Sequence, residues 1–315
     1  MAGLRLVPRK PELEFIAKRL MFFAFSVLLI IASAGLFGSK GLNYGIDFQG
    51  GILMEVRTPE AADISDLRSR LNNLGLGEVA LQEFGSPTDV LVRIQRQDGG
   101  ETAQQEAVNT IKAELGDAVK YRRTEVVGPK VSEELFMDGV MAVSFAVLAI
   151  LIYIWFRFEW QFGLGAVIAL LHDVFSTIGL FAITGIEFNL STVAAILTIA
   201  GYSINDTVVV YDRVRENLRR YKSKPIPQLL NDSINETLSR TVMTSVTTLL
   251  ALFALYFLGG EVIRGFSMAM IWGVIIGTYS SICLAVPLLL YFKVRRKKEG
   301  EDDVQPDFSG AEEIE

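Results

Sequence analysis

The chain has 315 residues, 50% of them hydrophobic, with a formal net charge of −6 and a mean hydropathy of +0.36. That mean is too apolar for an ordinary soluble domain of this length and requires spans of about 20 apolar residues. The net charge gives no argument for a nucleic-acid partner, because "KVRRKK" is strongly basic while residues 299–315 after it carry acids without a Lys or Arg.

In chain order, residues 1–19 are basic, with Arg5, Arg9, Lys10, Lys18 and Arg19, and lead into a first apolar run at 20–37. The run ends in "ASAG", as a secretory signal would. Its length of about 17 residues exceeds the usual 7–15 of a signal core, so an uncleaved first span is expected. Residues 38–131 then read as a separate external domain. "GILMEVR" has strand character, "EAADISDLRSRLNNLG" reads as a helix ending at Gly75, and "EVALQEF" and "DVLVRIQ" are strands joined by a Gly-Ser-Pro turn. "ETAQQEAVNTIKAELG" is a helix stopped by Gly116, and "VKYRRTEVV" is a last strand. The order is βαββαβ, and a small α+β ferredoxin-like domain is expected.

Residues 132–292 hold five further apolar runs, near 136–156, 162–183, 190–211, 237–258 and 266–292. Ser132, followed by Glu133 and Glu134, reads as the cap of the helix entering the second span. Pro225 and Pro227 open a segment in which Ile226, Leu229, Leu230, Ile234 and Leu238 recur at helical spacing. An amphipathic helix lying on the membrane surface is the simplest reading. Lys and Arg cluster at the N-terminus, at Arg157, in the loop 212–240 and in "KVRRKK", whereas the connectors "TGIEFN" and "GGEV" have none. Six transmembrane helices with both termini and loop 212–240 in the cytoplasm satisfy this asymmetry. The tail 293–315 is expected to be cytoplasmic, charged and solvated.

Chemistry-bearing motifs are sparse. No phosphate-binding glycine loop, no Cys/His metal spacing and no G-x-S-x-G occurs, and "DGG" at Asp98 is only a turn. The lone Cys283 forms no intrachain disulfide. An enzyme is therefore not expected, nor a cofactor or metal. Work must draw on an ion gradient or on a partner.

The informative residues are charges at lipid depth. Asp206 ends an uncharged stretch, and a carboxylate there costs roughly 2.5–3.5 kcal/mol on insertion scales. Arg240 lies a few residues into the fifth span, at matching depth from the same side. An Asp206–Arg240 pair could be a proton-driven switch or a static salt bridge between helices. Tyr202 and Ser203 share the face of Asp206, with Thr198 two turns back, as hydroxyls suited to holding water. His172 and Asp173 form another polar pair, midway through the third span. His172 suits proton relay or a hydrogen bond to a neighbouring helix. Asp212 and Arg213 read as interface charges, and Gly273 with Gly277 as a close helix contact, within the chain or with a partner.

These stretches together, "NYGIDFQGG", "LLHDVFS", "ILTIAGYSINDTVVVYDRVRE", "SRTVMTS" and "GTYSSICLAVPLL", resemble the SecD/SecF family of bacterial translocase membrane subunits, in the RND superfamily, and within it the SecF members. Asp47, Gly50, Gly51, Gly201, Asn205, Asp212 and Arg213 fall within the family motifs; Gly50 and Gly51 are expected to form a hinge between first span and opening strand. The resemblance implies half of an RND-type transporter in the bacterial inner membrane, partnered by SecD beside the SecY-E-G channel. YajC and YidC are further implied partners, with preprotein as the moving substrate. It implies that Asp206 and Arg240 contribute to proton conduction, with Asp173 and His172 as accompanying proton-coupling candidates, and that the proton-motive force promotes preprotein translocation. The competing readings are an exporter subunit for small amphiphiles and a non-conducting scaffold for SecD.

Overall fold

The computed structural model describes residues 12–292 and Val294. The readings made for 1–11 and for most of the tail lie outside the described residues. Among the described residues, six helices are long and apolar enough to cross a membrane: α1 (Arg19–Lys40), α5 (Pro129–Arg157), α6 (Trp160–Thr184), α7 (Leu190–Arg220), α8 (Ile226–Leu258) and the segment Arg264–Leu288. Between α1 and α5 come the one-turn helix α2 (Ile46–Gln49) and a small α/β domain.

Helices are the economical way to cross lipid, since each satisfies its own backbone groups. The bundle is layered. In α6, α7 and Arg264–Leu288 the apolar windows are 56%, 50% and 78% buried; in α1, α5 and α8 the figures are 11%, 11% and 17%. The first three therefore make the core, and the last three turn Leu28, Phe145, Trp155 and Leu250 outward. Such exposed apolar surface would be a liability in water and is ordinary against acyl chains. This is a multi-pass membrane protein.

Local sequence sets the helix ends, with corrections. α5 begins at Pro129, whose missing N–H costs nothing in a first turn. Ser132 is thus inside the helix, donating to the Pro129 carbonyl at 3.0 Å, and is not its cap. α7 opens on a capping box: Asn189 Oδ1 accepts from the Thr192 N–H, and Thr192 Oγ1 accepts from the Asn189 N–H. The amphipathic segment after Pro225 does not lie on the membrane surface. It is the start of α8, continuous to Leu258, and its apolar stripe of Leu229, Leu230, Ile234 and Leu238 is buried in one cluster with Val210, Tyr211, Val214 and Leu218 of α7.

The last span is not one uniform helix either. α9 (Arg264–Ser280) passes into a π-helical turn, Ser281–Ala285, before the short α10 (Val286–Leu288). Pro287 has no N–H for the carbonyl four residues back, which favours such a departure from α geometry. Tyr211 donates its hydroxyl to the Ala285 carbonyl at 3.0 Å within this turn.

The domain between α2 and α5 is a four-stranded sheet with two helices. β1 (Gly51–Arg57), α3 (Ile64–Asn72), β2 (Val79–Phe84), β3 (Ser86–Ile94), α4 (Gly100–Leu115) and β4 (Lys120–Val127) follow in chain order. The strands lie in the order β2-β3-β1-β4, and each neighbouring pair is antiparallel. Alternate residues Ile52, Met54 and Val56 of β1 and Val90, Val92 and Ile94 of β3 meet Leu71 of α3 and Ile111 of α4 in the core. Two boundaries differ from expectation. Asp63 caps α3, which ends at Asn72 before Gly75, and Ser86 and Pro87 belong to β3, leaving Gly85 (φ +80°) to make the turn.

The domain is fastened to the bundle through the segment before β1. Phe188 N–H donates to the Asn43 carbonyl at 2.7 Å, and Gly45 N–H to the Phe188 carbonyl at 2.9 Å. Asp47 Oδ2 accepts the Leu190 N–H at 2.9 Å, so this motif carboxylate sits on the first turn of α7. Arg93 of β3 ion-pairs with Glu187, and Tyr44, Phe48, Phe136 and Phe188 pack edge to face around the joint. At the expected hinge, Gly50 and Gly51 have φ of +72° and +125°, and a Cβ on Gly51 would lie 2.4 Å from the Ile94 carbonyl. Glycine is required there by conformation and by close approach of β3.

Candidate functional site

The most deeply placed carboxylate is Asp173, on α6 with none of its surface exposed. His172 Nδ1 lies 2.9 Å from its Oδ1, while Ser203 of α7 and Ser280 of α9 donate to its Oδ2 at 2.5 and 2.7 Å. Three core helices thus converge on one acceptor. A second tier lies beside it: Thr207 and Ser281 share a 2.8 Å hydrogen bond, and Ser281 donates to the Ser203 carbonyl at 3.3 Å.

Small residues make this convergence possible. Gly273 has no side chain where Ile199 of α7 passes, and a Cβ there would be 2.2 Å from Ile199 Cγ1. A Cβ on Gly277 would lie 3.0 Å from that of Ser203. The G-x-x-x-G pair is therefore a contact within the chain, bringing α9 close enough for Ser280 to reach Asp173. Ser280 and Ser281 were not singled out from sequence. The signal available was "TYSS" at lipid depth, but which helix those hydroxyls meet is a tertiary fact.

His172 makes its side-chain hydrogen bond within its own helix, to Asp173, and not to a neighbour. Its Nε2 is buried with no partner among the described residues, and its ring lies 6.0 Å from that of Tyr279. Tyr279 in turn donates to the Phe22 carbonyl of α1 at 2.7 Å and shares a 3.0 Å hydrogen bond with Ser26.

Asp206 behaves differently from expectation. It is 3% exposed, yet its Oδ2 has no hydrogen-bond partner, and no cation stands within 4 Å among the described residues. Arg240 is near enough for its charge to act on Asp206 but does not form the expected ion pair. The rotation of α8 explains this. Thr241 and Ser245 are the buried positions, with Ser245 sharing a 2.6 Å hydrogen bond with Thr278 of α9. Arg240, about 100° round the helix from Thr241, is left on the outer flank. Of the hydroxyls expected to serve Asp206, Ser203 is engaged with Asp173 and Thr198 with the Ala194 carbonyl, while the buried Tyr202 hydroxyl has no partner among the described residues.

Gly201 and Asn205 are exposed on α7, four residues apart and so on one face, with Thr198 exposed a turn before. Asp212 and Arg213 tie neighbouring helices together. Arg157 Nη2 reaches both Asp212 oxygens at 2.6 and 2.7 Å, and Arg213 reaches Glu236 of α8 at 2.6 Å.

Residues 107–295 match the family model described as protein export membrane protein SecD/SecF, C-terminal, and residues 35–58 match the SecD/SecF GG motif. The chain belongs to the SecD/SecF family. The GG motif covers Asp47, Gly50 and Gly51, the residues that join β1 and α7 to the first span. Among relatives, the protein translocase subunit SecF of Rickettsia felis is 48% identical over 93% of this chain and 96% of its own length. That of Rhodobacter capsulatus is 46% identical over 97% and 96%. The crystal structure of SecDF, a translocon-associated membrane protein from Thermus thermophilus, superposes with a TM-score of 0.82 at 38% identity, covering 92% of this chain. SecDF in its super-membrane-facing form gives a TM-score of 0.67 at 36% identity over 93%. This chain spans 40% of the length of either SecDF chain.

Proposed function

We propose that the chain is an accessory membrane subunit of Sec protein translocation that works with SecD and uses the proton-motive force to promote preprotein movement across the bacterial inner membrane. The SecF relatives, matched over almost their whole length, support the subunit assignment. The SecDF relatives are longer, and we read their remainder as the counterpart of a separate SecD. Lys/Arg asymmetry supports cytoplasmic termini and an external domain on the far side. The SecY-E-G channel, YajC and YidC enter as partners on the family resemblance.

The observation that carries the proton reading is Asp206, a buried carboxyl with, among the described residues, no partner for one oxygen and an arginine close by that pairs with no carboxylate. A static bridge would hold the two together; here the carboxyl is free to exchange a proton and Arg240 free to approach or withdraw. Arg240 near the site favours the ionised form, and its withdrawal favours the neutral one. One charge crossing 100 mV is worth about 2.3 kcal/mol, enough to shift a two-state equilibrium about 50-fold. α7 carries Asp206, and its N-terminal end is fastened through Leu190 to Asp47 and through the preceding Phe188 to Asn43 and Gly45, so displacement of α7 would be passed to the external domain. Asp173 holds α6, α7 and α9 in register beside this path, and with His172 it supplies further candidates for proton exchange.

The test is Asp206→Asn, co-reconstituted with SecD. Normal assembly with loss of gradient-stimulated export and of proton flux is expected. Normal assembly with full gradient-stimulated export would end the reading, and weakened assembly with export intact per complex would return the scaffold reading.

A further inference from the structure

The end of α7 beyond the membrane edge forms, with the α5–α6 turn, a groove of about 720 Å³ lined by Arg157, Asp212, Arg215, Glu216, Arg219 and Arg220. Its charges do not cancel. Asp212 is engaged by Arg157, and Glu216 by Arg213 from outside the groove, both at 2.6 Å. Arg215, Arg219 and Arg220 have no carboxylate within 4 Å among the described residues. Two guanidinium groups are positioned in advance. Those of Arg157 and Arg215 lie 4.8 and 5.4 Å from the ring centre of the buried Phe158, and Arg215 also donates to the Arg157 carbonyl at 3.3 Å.

The groove's height relative to the bilayer is marked independently. Trp155, Phe156 and Trp160 flank Arg157 and are 75%, 85% and 58% exposed. Exposed aromatic rings of this kind sit at the boundary between acyl chains and headgroups. Arg215 stands level with Phe158, and Arg219 is about 6 Å further along α7. The headgroup layer extends about 5–7 Å beyond the hydrocarbon. The free guanidinium groups therefore span the depth of lipid phosphates. On the side of α5 that carries Arg157, Ala146, Ala149, Ile150 and Tyr153 form an exposed to half-buried apolar stripe, running from the groove toward the bilayer centre.

We propose that this groove binds the headgroup phosphate of an anionic phospholipid, whose acyl chains lie along α5. Guanidinium pairs chelate phosphate oxygens with charge-assisted hydrogen bonds, and basic recesses between membrane helices take anionic headgroups. The net positive charge left after internal pairing selects an anionic lipid over a zwitterionic one. The apolar stripe selects a lipid over free phosphate.

Native mass spectrometry of the full chain, released from detergent with added phosphatidylglycerol or phosphatidylethanolamine, tests this. The wild-type chain should retain phosphatidylglycerol about tenfold better than phosphatidylethanolamine. The triple variant Arg215→Gln, Arg219→Gln, Arg220→Gln should lose most of that preference, and Ala149→Gln with Tyr153→Gln should weaken retention without removing the preference for the anionic headgroup. Equal retention of the two lipids by the wild-type chain would overturn the proposal whether or not the variants fold. So would complete displacement of phosphatidylglycerol by millimolar inorganic phosphate, which would make this a phosphate site. Displacement by an acidic peptide at the same concentration would overturn it too, assigning the groove to protein.

Discussion

Asp173 and Asp206 are both carboxyls buried at lipid depth, and the structure gives them opposite surroundings. Asp173 accepts from Ser203 and Ser280 and contacts His172, so removing its oxygens strands polar groups from three helices. Each buried group left unpaired costs about 1–3 kcal/mol. Asp173→Ala should therefore lower resistance to unfolding in mixed micelles by about 3 kcal/mol or more. Asp173→Asn, which keeps an acceptor oxygen, should lose no more than about half as much. Asp206 has no hydrogen bond at Oδ2 to lose, and Asp206→Asn should change stability by less than about 1 kcal/mol. Equal losses at the two positions would show that the bundle does not rank them as the hydrogen bonds do.

At the scale of elements, α7 and α8 are about 46 and 50 Å long, well over the roughly 30 Å of a hydrocarbon core. Their surplus turns pack against one another. Leu229 and Leu230 are fully buried there, and Asn217 bridges to Ser233 and Glu236 at 2.9 and 2.8 Å. A helix lying on a membrane surface would leave such leucines in lipid, where truncation is cheap. In a packed interior, Leu→Ala costs about 2–5 kcal/mol. Leu230→Ala should therefore destabilise the chain by that amount and raise amide exchange in residues 226–238. An effect below about 0.5 kcal/mol would restore the surface-lying helix.

For the whole molecule, the joint between the α/β domain and the bundle is where pH should act. Glu187 sits between α6 and α7, outside the spans, and burial raises its carboxyl above the usual value of 4.5. Arg93 opposes the shift, while Asp47 and Glu125 add to it. A raised value in the docked state means that docking binds protons. Its contribution is complete below about 4.5 and is lost as pH rises through the docked value. Amide protection of residues 42–50 and 185–190, corrected for intrinsic exchange, should thus increase as pH falls from neutrality toward 4.5. Glu187→Gln should hold protection level across that window. A pH dependence that survives the substitution would place its origin elsewhere.

Much of this protein is legible in the sequence. Hydropathy alone marks six spans, because lipid tolerates only apolar stretches of that length. The period-two strands and the helices between them give the βαββαβ order of the external domain, since burying one face imposes that alternation locally. Asp206, Asp173 and His172 stand out because charge is rare at such depth. What the residues touch was decided only in three dimensions. Asp206 and Arg240 share a depth, but pairing also needs a particular rotation of α8, set by the packing of Thr241 and Ser245. Ser280 reaches Asp173 because Gly273 and Gly277 let α9 close on α7, a contact between segments some 70 residues apart. Depth is a property of one helix and its sequence; azimuth is settled by the neighbours that helix packs against.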